Sequence, residues 1–151
     1  MAETQAGFKH GKSELAQDLL VRFGPTLLVD IGFKPIAITD NGPELEFRGL
    51  KALVDTGAGD SCIDSGIAGR ARLPVIDQRV ASGIGGATRV NIHMARLYIP
   101  SLKQMLFQPF AGVELETGGQ WHQALLGRTF LRPYTLRYVG PTGEVVISHA
   151  D

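Results

Sequence analysis

A single cysteine, Cys62, stands in 151 residues, so no intrachain disulfide can form, and disulfide-stapled scaffolds are excluded. The same scarcity makes a reducing cytoplasm the expected compartment. Excess charge is missing as well: 15 basic and 15 acidic side chains cancel to a formal zero, leaving no electrostatic footprint for nucleic acid or an anionic membrane. No apolar run approaches the roughly 20 residues that cross a bilayer; even "TLLVDIGF" is broken by Asp30. The N-terminus lacks the charged-then-apolar layout of a secretory signal. His10, His93, His122 and His149 show no metal-ligand spacing, so neither a metal nor another cofactor is expected. "GKS" at 11–13 lacks the earlier glycine of a phosphate loop, because Ala6 occupies that place. Repeats and low-complexity linkers are absent too, and the length suits one domain with a sizeable core.

What is plentiful is glycine, with 19 residues, and proline, with 8, set among Val, Ile, Leu and Thr. That mixture favours many short strands and tight turns over long helices. Residues 13–23, "SELAQDLLVRF", form the exception. Leu15, Leu19 and Phe23 fall at helical spacing, Ser13 is placed to cap, and Gly24-Pro25 makes the stop. From Thr26 the pattern turns strand-like: "TLLVDIGF", "IAIT", a turn at "DNGP" whose Asn41-Gly42 suits positive φ, "ELEFRG", and the apolar "LKALVD" ending on Asp55. A single short helix follows in "SGIAGRARLPV", capped by Asp64 or Ser65 and closed by Pro74. "RVASGIGGATRVNIHM" reads as a hairpin around a glycine-rich tip, with a bulge or bend where apolar alternation shifts phase to Ala95, Leu97 and Ile99. Strands are expected at "QMLFQPF" and "AGVELE", then a strand and a short helix starting after Gly127 in "HQALLGRTFLRPY". A hairpin around 140–143 closes the chain.

A strand that ends "ALVDTGAGDS" needs explaining, because it delivers a carboxylate into small, flexible residues. Taken alone, Asp-Thr-Gly is compatible with an ordinary turn in which the acid caps nearby amides. Two further features follow in order: "SGIGGATRV" about thirty residues on, and "ALLGRTFL" about forty beyond that. With all three, residues 26–147 resemble the retropepsins, the retroviral-type aspartic proteases and their single-domain relatives. The resemblance implies a mainly β retropepsin-like closed barrel with a β-hairpin flap, one short helix after the Gly-Arg segment, and an extra N-terminal helix. Residues 1–24 would be an N-terminal extension and 25–151 the protease domain.

By that resemblance, Asp55, Thr56 and Gly57 are the catalytic turn, and Thr56 bonds across a dimer interface. The substrate would meet Ala58, Gly59, Asp60, the flap residues Gly83, Ile84 and Gly85, and Leu125, with Val80 as a further pocket candidate. Gly127 and Arg128 would brace the loop. Gly59 stands where the retroviral pattern has an acid, so Arg128 pairs either with Asp60 or with a main-chain carbonyl. One chain supplies one such aspartate, which implies a homodimer acting on a peptide or protein, with no nucleic acid or membrane partner. Asp64-Ser65-Gly66 cannot be a second catalytic turn, since nine residues build no second strand and brace and bulky Ile67 follows; Asp64 is expected to cap a helix. Cys62 is expected to be a small buried hydrophobe. The competing function is a non-catalytic peptide-binding or dimerisation module on the same fold.

Overall fold

The computed structural model describes residues 2–9, 11–83 and 85–149. The chain is mainly β. In order run β1 (Ala2–Gln5), α1 (Ser13–Phe23), β2 (Thr26–Gly32), β3 (Ala37–Thr39), β4 (Gly42–Glu44), β5 (Phe47–Val54), β6 (Cys62–Asp64) and α2 (Ser65–Arg70). They are followed by β7 (Val75–Gly83), β8 (Gly86–Ile99), β9 (Gln104–Val113), β10 (Ala124–Leu126), α3 (Arg128–Leu131), β11 (Tyr134–Val139), the 3-10 turn Gly140–Thr142 and β12 (Glu144–His149).

Six strands close on themselves in the order β2-β5-β10-β6-β9-β8, because β8 also pairs back with β2 through Asp30–Tyr98, Ile31–Leu97 and Gly32–Arg96. Closure removes the open edges that a flat sheet would leave. The strand pattern explains the interior. In β2, Leu27, Val29 and Ile31 point inward while Leu28 faces solvent, and Ala52 and Val54 of β5 do the same opposite them. Ile63, Ala95, Leu97, Ile99, Phe110, Ala124, Leu126 and Phe130 complete the core. Each large side chain so buried contributes about 1.5–3 kcal/mol. A smaller cluster of Val90, Ile92 and Ala111, with Cys62, Ala81 and Val113 against it, lies on the other face of the sheet.

The β7–β8 hairpin leaves the barrel as an arm. Its register runs from Val75–His93 to Gly83–Gly86. The bulge or bend expected at the change of apolar phase is absent, since β8 pairs with β9 without interruption there; the register shift of the arm lies in β7, between Val75 and Asp77. A second sheet, β1-β12-β11, contains the expected C-terminal hairpin and one strand that the sequence pattern does not announce, β1. That strand leads into buried Ala6, whose N–H donates to Val145 O and whose carbonyl accepts from Thr26 N.

Four other local expectations need correction. Ser13 is the first residue of α1 and makes no cap; Lys12 precedes the helix in extended conformation. The helix buries Ala16 and Leu20 and leaves Leu15 largely exposed, because Gly143 packs against Ala16 and admits no bulk there. Residues 104–113 form one strand in place of two, and α2 ends at Arg70, four residues before Pro74, where Arg72 takes a left-handed φ of 52°. Gly24, at φ 73°, does stop α1, and Gly42 takes φ 103° in the β3–β4 turn.

Candidate active site

Asp55 follows directly on β5, held at both ends of its backbone. Its N–H donates to Leu126 O at 2.9 Å and its carbonyl accepts from Ala58 N at 3.3 Å. One carboxylate oxygen, Oδ1, accepts from Gly57 N at 2.9 Å, so the acid is oriented by the turn that it opens. Asp55 is half-buried, and Thr56 and Gly57 are exposed. The Thr56 hydroxyl makes no hydrogen bond among the described residues.

The loop from Asp55 to Ser61 lies over the start of α3. Arg128 N donates to Ala58 O at 2.9 Å, Thr129 N to Gly59 O at 3.0 Å, and Gly127 N to the Oγ of fully buried Ser61 at 3.1 Å. These are helix-start amides without partners in their own helix, and loop carbonyls satisfy them. Gly127 has to be glycine: an added Cβ would stand 2.7 Å from Asp60 O and 2.9 Å from Ala58 O. The open question over Arg128 is settled by Nη1, which donates to Thr56 O at 2.7 Å. Asp60 faces the hairpin arm, its Oδ2 lying 3.6 Å from Nη1 of Arg79, whose Nε also lies 3.4 Å from Asp77.

Asp64 caps α2, accepting from Ile67 N at 3.2 Å, and its second oxygen takes Leu115 N and Glu116 N at 3.1 and 3.0 Å. A buried carboxylate with three backbone donors is a structural tie between β6, α2 and the 114–117 turn. Cys62 is half-buried; burial first, and then the charges of Asp60 and Asp55, push its thiol up to about 11. It is therefore protonated at neutral pH and a poor nucleophile.

A cleft of about 970 Å³ lies between the hairpin arm and residues of β6, β9 and β10, and no residue from Asp55 to Ser61 lines it. Its lining includes apolar Leu125, Val90 and Val113 with Cys62, and polar Ser65, Asn91 and His93 with Gly69 and Gly112. Gly85 lies on this wall, as do Ala81 and Ser82, and Gly83 ends β7 at the tip. Ile84 lies outside the described residues. Val80 is misplaced by the sequence expectation: it pairs with Arg89, is 65% exposed and does not line the cleft. Sequence inspection also passes over Arg79, Ser61 and Gly112. A glycine inside a strand, as in "FAGVE", is the signal that marks Gly112. Among the described residues no group of three His, Cys, Asp or Glu side chains could hold a metal ion, and no helix is long and apolar enough to cross a membrane.

No family model and no curated protein matches the chain. Among solved structures it is similar to the protease of simian foamy virus (mac), at 13% identity and a TM-score of 0.44, over 71% of this chain and 91% of that one. It is also similar to EIAV protease complexed with the inhibitor HBY-793, at 20% identity and a TM-score of 0.43, over 72% and 85% of the two chains.

Proposed function

We propose that the chain is a retropepsin-like aspartic endopeptidase that works as a symmetric homodimer, with Asp55 from each copy at the two-fold axis. The observation that carries this is the oriented Asp55 carboxylate at the mouth of an exposed Asp-Thr-Gly turn, braced from beneath by Gly127 and Arg128. Hydrolysis of an amide needs a base to activate water and an acid to protonate the departing nitrogen. Two carboxylates about 3 Å apart supply both, since like charges so close cannot both ionise and one proton is shared; aspartic proteases are the standard case of this effect.

In this reading the β7–β8 arm is a flap over an extended peptide, which lies against Ala58, Gly59, Asp60, Gly83, Gly85 and Leu125. Glycines at the tip let the backbone approach the ligand closely. The Arg79–Asp60 pair ties the arm to the loop it would cover. Thr56, exposed and with a hydroxyl that makes no hydrogen bond among the described residues, is the group expected to bond across the dimer axis. Residues 25–151 would be the catalytic domain, with 1–24 packed on it, and the single cysteine suits a reducing cytoplasm.

The test is turnover of a quenched peptide library by the parent and by Asp55→Asn. The substitution is isosteric and leaves an amide oxygen to accept from Gly57 N, so the fold and the dimer should persist while turnover falls by at least about a thousandfold. Activity should be greatest at acidic pH, where the shared proton is retained. Undiminished cleavage by Asp55→Asn sinks the proposal; peptide binding by the parent without cleavage at any pH would favour a non-catalytic module.

A further inference from the structure

The cleft's lining has an apolar and a polar part, and the polar part contains no residue of the catalytic turn. β8 leaves β9 after the Ile92–Ala111 pair, where β9 is about to end at Val113. Strand alternation puts Val90 and Ile92 on the face that carries Cys62, and puts Asn91 and His93 on the opposite face, towards α2. Where the strands part, at Asn91 and Gly112, the cleft's lining takes residues from both faces of the arm.

There His93 is only 7% exposed. Its Nδ1 lies 3.1 Å from Leu73 O; a carbonyl can only accept, so Nδ1 carries the proton and Nε2 of the neutral ring is an acceptor. Nε2 makes no hydrogen bond among the described residues. Gly112 keeps it uncovered, since a Cβ there would stand 3.0 Å from Nε2. Asn91 supplies the opposite polarity. Its Oδ1 accepts from Gln78 Nε2 at 3.0 Å, which leaves its own NH2 group to donate. Residues i and i+2 of a strand lie about 7 Å apart on one face. That gap fits one planar carboxamide, its NH2 donating to His93 Nε2 and its oxygen accepting from Asn91. The formal charges on the wall, Arg89 and Glu114, are one of each sign, which gives no preference for an ion.

We infer that the part of the cleft beside Gly112 is a subsite for the carboxamide of a glutamine or asparagine side chain in the bound peptide, at a position remote from the cleaved bond. The inference rests on the peptide-binding reading above. It is tested with the full chain carrying Asp55→Asn, so that binding is read without cleavage, by fluorescence anisotropy of labelled decapeptides that carry Gln, Glu or Leu at each position in turn. One position should prefer Gln to both Leu and Glu by about tenfold, as one or two net hydrogen bonds allow. Gly112→Ala, which covers Nε2, and Asn91→Leu, an exposed change that spares the core, should each reduce that preference below about threefold. Equal affinities at every position, or a preference that survives both substitutions, overturns the subsite and leaves the peptide-binding reading standing. Failure of every decapeptide to bind overturns both.

Discussion

Gly127→Ala puts the bracing of the Asp55 loop to a quantitative test. Gly127 has φ −85° and ψ −170°, a conformation that alanine adopts freely, so no backbone strain enters. The cost is contact alone. A methyl group would sit 2.7 Å from Asp60 O and 2.9 Å from Ala58 O, against about 3.3 Å for a close carbon–oxygen contact. The loop must retreat by roughly half an ångström, yet Ala58 O is held by Arg128 N and Gly59 O by Thr129 N. Overpacking of this kind costs about 2–3 kcal/mol, which lowers the melting temperature of a chain this long by roughly 5–10 °C. Gly69→Ala is the control. It lies in α2 with nothing within 4 Å of the added carbon, so relief of glycine's chain entropy should stabilise by about 0.5–1 kcal/mol. Circular-dichroism melts of both variants against the parent give the result. A Gly127→Ala melting temperature equal to or above the parent's, or a shift of the same sign in both variants, refutes the steric account.

Cys62 gives a pH signature. Its thiol is raised from 9.0 to about 11, so it favours the folded state below pH 9, and that contribution is lost as pH rises through 11. Urea midpoints should therefore fall between pH 9 and 11 in the parent and fall less in Cys62→Val; at pH 8 iodoacetamide should alkylate the unfolded chain about a hundredfold faster. Asp64→Ala strands two buried N–H groups and one partly buried one and should lose about 3 kcal/mol, whereas Asp64→Asn, which keeps an acceptor, should melt lower yet still turn over peptide; an inactive but folded Asp64→Asn would contradict the capping role. Arg128→Ala removes the exposed donor to Thr56 O, worth about 1 kcal/mol, and should speed amide exchange at Gly57 and Ala58 while exchange in β2 stays unchanged.

The pieces that meet around Asp55 are legible in the sequence because each carries its own local signature. An apolar strand, a carboxylate, small residues and a Gly-Arg helix start each announce themselves within a few positions, and Asp64 three residues before Ile67 reads as a cap. β1 is illegible for the opposite reason: "AETQ" has no apolar alternation, and its strand conformation comes from pairing with β12, from Ala2–His149 to Gln5–Val146. Leu15 misleads in the same way. Helical spacing makes it one of several apolar candidates, and only the closeness of Gly143 to Ala16 decides which face turns inward. The partner of Arg128 is undecidable from spacing, since Asp60 and the Thr56 carbonyl lie within a few residues of each other, and it is the Arg79 side chain that occupies Asp60.

The Asp55 turn and its supports are far apart along the chain: the Arg128–Thr56 bond spans 72 positions, and β5 and β10 run parallel, so no short hairpin can join them. A nascent chain that has emerged only as far as β9 carries Asp55 without the Leu126 carbonyl, the Gly127 contact or the Arg128 donor. The long-range supports of the turn are thereby postponed until β10 and α3 have emerged, and until then only the bond from Gly57 N can give the acid a direction.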